Sequence, residues 1–93
     1  MKLEDFTWDR YLKYDELTAA LRWLAETYPD LCEMYSIGKT WQGRDIWCLE
    51  VTNKKIGKPS EKPGLYVDGN THAGEVTGSM ICLYSAWSLL SNY

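Results

Sequence analysis

Three consecutive apolar residues, Leu65-Tyr66-Val67, closed off by Asp68-Gly69-Asn70-Thr71, limit what this chain can fold into more than any other feature. An unbroken apolar run bounded by turn residues is the pattern of a strand covered on both faces of a sheet, whereas a strand with one wet face alternates. Such a strand needs neighbours on both sides, so the run predicts a sheet built to continue past the elements around it.

The elements before and after the run read as follows. Leu17, Leu21, Leu24 and Tyr28 form one stripe of an amphipathic helix beginning at Tyr14. Asp15 and Glu16 place negative charge at its positive end, and Pro29 stops it, because the residue before proline is pushed out of the helical region. Leu31 to Lys39 predicts a strand with Cys32, Met34 and Ile37 as its apolar positions. Trp41-Gln42-Gly43-Arg44 predicts a turn with Gly43 at positive φ, and Ile46 to Thr52 the returning strand of an antiparallel hairpin. Asn53 to Gly64, with four Lys, two Gly and two Pro, is a solvated loop. Beyond Gly74, Val76, Met80, Leu83, Tyr84, Trp87 and Leu90 follow helical spacing. Residues 1–13 read as a mixed polar and aromatic lead-in. The order is helix, hairpin, strand, helix, an α/β arrangement without internal repeat.

Composition narrows the function classes. With 93 residues, 45% hydrophobic and 25% charged, the chain is expected to pack a core, but a small one. Five Trp and seven Tyr are a heavy aromatic load for that size. A net charge of −3 with scattered Lys and Arg gives no footprint for nucleic acid or an anionic membrane. Val76 to Leu90 is broken by Thr77, Gly78, Ser79, Ser85 and Ser88, too polar for a membrane span. The acidic start, Met1 to Asp5, lacks the apolar stretch of a secretory signal, and a cytoplasmic location is the expectation. Cys32, Cys48 and Cys82 are odd in number and widely spaced, and read as small thiols rather than a disulfide framework or zinc site.

Chemistry concentrates at one place. His72, the only histidine, follows the apolar run, where open α/β sheets place their ligands. Glu75 comes three residues later. Neutral imidazole and carboxylate are both zinc ligands, and small Ala73 and Gly74 between them allow a tight turn. His-x-x-Glu alone is a weak signal. A lone histidine at a strand end is more often a surface or hydrogen-bonding residue, and Glu75 has the competing role of a charge at a helix N-terminus.

Asp68-Gly69-Asn70-Thr71-His72-Ala73-Gly74-Glu75 resembles the zinc-binding segment of the zinc carboxypeptidases, the carboxypeptidase A and B type of metallopeptidase. Gly38-Lys39-Thr40-Trp41-Gln42-Gly43-Arg44-Asp45-Ile46 is similar to that family's pattern of Gly, Thr, two variable residues, Gly-Arg and an apolar strand. Tyr14-Asp15-Glu16-Leu17 and Tyr28-Pro29 fit as well, and the likeness runs from about Tyr11 to Tyr93. It implies a three-layer α/β/α zinc-exopeptidase fold with a mixed sheet, of which the first helix, a hairpin, a central strand and the following helix lie here. On this reading residues 1–93 are the N-terminal part of a single catalytic domain.

The implied metal is Zn2+, held by His, Glu and a second His, as in carboxypeptidase A, with His72 and Glu75 as the first two ligands. The implied substrate is a peptide, hydrolysed at its C-terminal bond by a zinc-activated water with a glutamate as base. The third ligand, that base and the substrate-binding arginines are expected in the remaining part of the catalytic domain, beyond residue 93, so no catalytic residue is assigned here. Many digestive members carry Arg where this chain has Gly74, so their C-terminal specificity is not carried over. Two alternatives remain: a non-catalytic binding module that keeps the motif, and a related zinc amidohydrolase acting on acyl amino acids or cell-wall peptides.

Overall fold

A computed structural model describes residues 1–93. Its principal elements are helix α1 (Tyr14–Thr27), strands β1 (Cys32–Lys39) and β2 (Asp45–Val51), and helix α2 (Val76–Ser91), with single 3-10 turns at Leu3–Asp5 and Pro59–Glu61. No helix is long and apolar enough to cross a membrane.

Helix α1 starts where expected. The Glu16 carboxylate accepts the Lys13 backbone N–H at 3.0 Å, one half of a capping box; the other half is absent because a lysine ammonium has nothing to accept with. The helix ends one residue before Tyr28, whose N–H still reaches Leu24 O at 2.9 Å. Ala20 and Leu24 are fully buried, and Leu17 and Leu21 pack at the edge of the same core.

The hairpin forms in antiparallel register, with Cys32 opposite Val51 and Tyr35 opposite Cys48. Gly43 takes φ +79° at the turn, and the Lys39–Asp45 ion pair at 2.7 Å closes it. Tyr14 Oη donates to Asp45 O at 2.7 Å, and Trp47 Nε1 donates to Thr18 Oγ1 at 2.9 Å, fastening β2 to α1. Ile37 does not join the core and is 61% exposed. It lies in the irregular stretch where the register shifts between Ser36 and Lys39.

Two expectations are corrected. Leu65-Tyr66-Val67 is not a strand here: the sheet has two strands only, and Leu65 and Tyr66 are 91% and 80% exposed. The physical reason is lack of a partner, since the one sheet pairs β1 only with β2 and no third strand joins it. The lead-in, in turn, is part of the core. Leu3 is fully buried with Ala20, Leu24, Cys32, Leu83 and Leu90. Trp8 packs its ring 4.9 Å from Tyr84 and 5.6 Å from Trp87, and Phe6 stacks edge-on behind it at 5.0 Å. Residues 1–8 therefore dock onto α2. Within α2, Leu83 and Leu90 are buried and Trp87 half-buried, while Val76 and Tyr84 stay largely exposed.

Candidate functional site

His72 and Glu75 lie in the connection between the unpaired run and α2, with Glu75 in the N-cap position of the helix. At that position Ser, Thr, Asp and Asn fold forward onto the first free N–H groups of the helix, and the longer glutamate is not among the preferred caps. Glu75 makes no such bond. Its Oε1 instead reaches back, accepting the His72 backbone N–H at 3.2 Å and lying 3.0 Å from His72 Nδ1. The Glu75 N–H donates to His72 O at 3.0 Å. The two residues are thus closed on each other by backbone and side chain, with the Nδ1 edge of the ring facing the carboxylate.

The tight packing beside the pair comes from residues on either side of it in the sequence. Ala73 and Gly74 were expected to supply the turn, but a Cβ on Gly74 would meet no atom within 4 Å and its φ is not positive. Crowding occurs at Gly69 and Gly78 instead. A Cβ on Gly69 would stand 2.5 Å from Gly78 O, and one on Gly78 would stand 2.7 Å from Asn70 N. Two glycines let the loop lie directly on the first turn of α2. Asn70 then reverses the chain at φ +65°, a left-handed conformation that asparagine tolerates better than most residues. Its amide N–H donates to His72 O at 2.9 Å, and its Oδ1 accepts from Ser79 Oγ at 2.8 Å. Sequence reading missed Asn70 and Ser79; the only trace of them is Asn directly after a Gly.

The donor set fits a zinc ion. With Zn–N of about 2.0–2.1 Å and Zn–O of about 2.0–2.2 Å, two donors at a tetrahedral angle stand roughly 3.4 Å apart. The observed 3.0 Å needs an adjustment of only a few tenths of an ångström. The imidazole and carboxylate are largely open to solvent, with side-chain exposures of 81% and 57%. No cluster of three or more His, Cys, Asp or Glu that could hold a metal is formed, so these two donors stand without a third.

The family model for zinc carboxypeptidases matches residues 17–93. The chain belongs to the zinc carboxypeptidase family. This member is 34% identical over 86 residues to carboxypeptidase B of Astacus astacus, covering 91% of the chain and 27% of that relative. It is 32% identical over 80 residues to carboxypeptidase D of Drosophila melanogaster, covering 86% of the chain and 6% of the relative. A protein of Schizosaccharomyces pombe named an inactive metallocarboxypeptidase is 30% identical over 93 residues, covering 96% of the chain and 19% of that relative. The chain thus spans between about a twentieth and a quarter of the length of these curated relatives. The family it belongs to is one of zinc metallopeptidases, hydrolases that act as carboxypeptidases.

Proposed function

We propose that His72 and Glu75 are two protein ligands of a catalytic zinc, and that the protein is a metallocarboxypeptidase that hydrolyses the C-terminal bond of peptides. The observation that carries this reading is the 3.0 Å approach of His72 Nδ1 to Glu75 Oε1 in a zinc carboxypeptidase chain. The Glu75 carboxylate turns back to the imidazole rather than forward onto the helix, which leaves the two donors side by side.

When bound, the metal supplies Lewis-acid polarisation of the scissile carbonyl and a water of lowered pKa. The chain's own residues do the holding. His72 would hold the metal through Nδ1, a good zinc donor as a neutral imidazole. Glu75 would hold it through Oε1 and offset part of its charge, and a carboxylate used in that way would not be free to act as the general base. The backbone bonds between the two residues keep ring and carboxylate from drifting apart.

The second histidine, the general-base glutamate and the substrate-binding groups belong, on this proposal, to the remaining part of the catalytic domain. That domain would be the three-layer α/β/α fold, in which Leu65-Tyr66-Val67 becomes a paired central strand. The much greater length of the relatives supports this. The test is release of C-terminal amino acids from peptides by the complete catalytic domain, before and after chelation and zinc restoration. Activity that chelation abolishes and zinc restores, and that His72→Ala removes, is expected; chelator-insensitive hydrolysis would overturn the proposal.

A second reading, a non-catalytic protein that keeps the motif, is favoured by the relative named inactive. It is told apart by the same assay, since it predicts no peptide hydrolysis with zinc or without it.

A further inference from the structure

We infer that Asn70 is a positioning residue for the His72–Glu75 pair, its side-chain amide fastening the loop that carries His72 to the first turns of α2. The inference rests on the reading of His72 and Glu75 as zinc ligands and adds to it what holds them in place.

The argument starts from the chemistry of the amide. The carbonyl of His72 can only accept, so the group facing it at 2.9 Å must be the Asn70 NH2. That orientation leaves Oδ1 toward Ser79 Oγ, whose hydroxyl donates at 2.8 Å. Asparagine and glutamine alone carry a carbonyl acceptor and an NH2 donor on one planar amide, and asparagine is the shorter of the two. Aspartate lacks the donor, serine lacks the span, and glycine has neither. The backbone adds a second constraint, since φ +65° at Asn70 penalises most side chains by roughly 1–2 kcal/mol. One residue type meets both demands.

The consequence falls on His72. Its carbonyl is held from both sides, by Asn70 Nδ2 and by Glu75 N at 3.0 Å, while its N–H is held by Glu75 Oε1. Asn70 bonds neither the imidazole nor the carboxylate, so it acts through the His72 backbone. With the amide removed, the side-chain link from His72 to Ser79 is lost, and the loop keeps only its backbone contacts with Gly78 and Glu75. An exposed ring on a freed backbone would sample more orientations. Partners bonded directly to ligating side chains change metal affinity by about 10–100-fold, and a tether acting through the backbone is expected at the low end of that range.

Zinc is titrated into the full 93-residue chain while the ring nitrogens of His72, the only histidine, are followed by NMR and thermal unfolding is recorded in parallel. Two variants are compared with the wild type. Asn70→Gly keeps the left-handed backbone without strain and removes the amide; Ser79→Ala removes only the hydroxyl. The expected result is a zinc midpoint raised about tenfold in Asn70→Gly and by a smaller factor in Ser79→Ala. In the wild type Nδ1 carries the metal-induced shift, and in Asn70→Gly that shift spreads to Nε2. Midpoints unchanged in both variants, with or without a lower melting temperature, would overturn the positioning role while leaving the zinc-ligand reading intact. A wild-type ring indifferent to zinc would overturn that reading and this inference with it. If Asn70→Gly does not fold, Ser79→Ala decides: a raised midpoint at unaltered melting temperature supports the inference, and an unaltered midpoint overturns it.

Discussion

The backbone of Gly69 lies so close to that of Gly78 that a Cβ on the first would stand 2.5 Å from the carbonyl oxygen of the second. This contact lets the loop that carries His72 rest on α2 and gives a prediction with an unusual sign. In an unobstructed helix, Gly→Ala stabilises by roughly 0.5–1 kcal/mol. At Gly78 the new methyl meets Asn70 N at 2.7 Å, so Gly78→Ala is expected to destabilise, by about 1–3 kcal/mol as overpacking does. Thermal or denaturant unfolding measures the sign, and a gain in stability would show that the loop lifts off the helix at little cost.

Leu3→Ala is expected to cost about 2–5 kcal/mol, the range for emptying a buried leucine site. Leu3 is fully enclosed with Leu24 and Cys32 although it stands in a three-residue turn near the N-terminus. Because only six residues of the chain are fully buried, such a loss would abolish a cooperative transition at moderate temperature. Far-UV circular dichroism during heating is the measurement; a melting curve close to wild type would place Leu3 outside the stabilising core.

These two sites show what the sequence could and could not reveal. The helix α1 stripe, its stop before Pro29, the hairpin with Gly43 at its turn and the helix after Gly74 were legible, because each is a local pattern repeated over several residues. Leu3 was not, since one leucine between charged residues carries no period. The Leu65-Tyr66-Val67 run is the reverse case. Its pattern reads as a buried strand, but burial depends on partners that local pattern does not supply. At the site, the His72–Glu75 spacing was visible, whereas the Asn70–Ser79 tether joins residues nine apart through side chains and has no local signature.

The cysteines predict an alkaline effect. Burial raises the Cys32 thiol above the usual range and does the same to Cys82. Folding thus favours the neutral thiol, and the corresponding stability is complete below the unfolded thiol pKa of about 8.5 and declines as pH rises beyond it. Unfolding free energy is expected to fall above about pH 8.5, with a shallower fall in Cys32→Ala. Cys32, whose sulfur lies 3.4 Å from Leu24 O inside the core, should also be the slowest of the three thiols to alkylate. Equal labelling rates would contradict this.

On the acid side, the Lys13 backbone N–H, followed by the Arg10 guanidinium, holds Glu16 below the usual carboxylate range. A depressed pKa contributes stability above the unfolded value of about 4 and loses it as pH falls through the folded one. The stability difference between wild type and Glu16→Gln should therefore shrink below about pH 4. Chemical unfolding at a series of pH values measures it, and a difference constant down to strongly acidic solution would mean that the cap is not formed.

The most direct measurement is a zinc titration of the 93-residue chain followed on the His72 imidazole, in the wild type and in Glu75→Gln. If the two side chains form one metal-binding pair, the ring responds through Nδ1, the nitrogen 3.0 Å from the Glu75 carboxylate. Removing the carboxylate charge should then weaken zinc by about tenfold or more, no less than the loss of a supporting partner. A ring that ignores zinc, or one that binds it equally well with glutamine at position 75, would contradict the assignment of His72 and Glu75 as joint ligands.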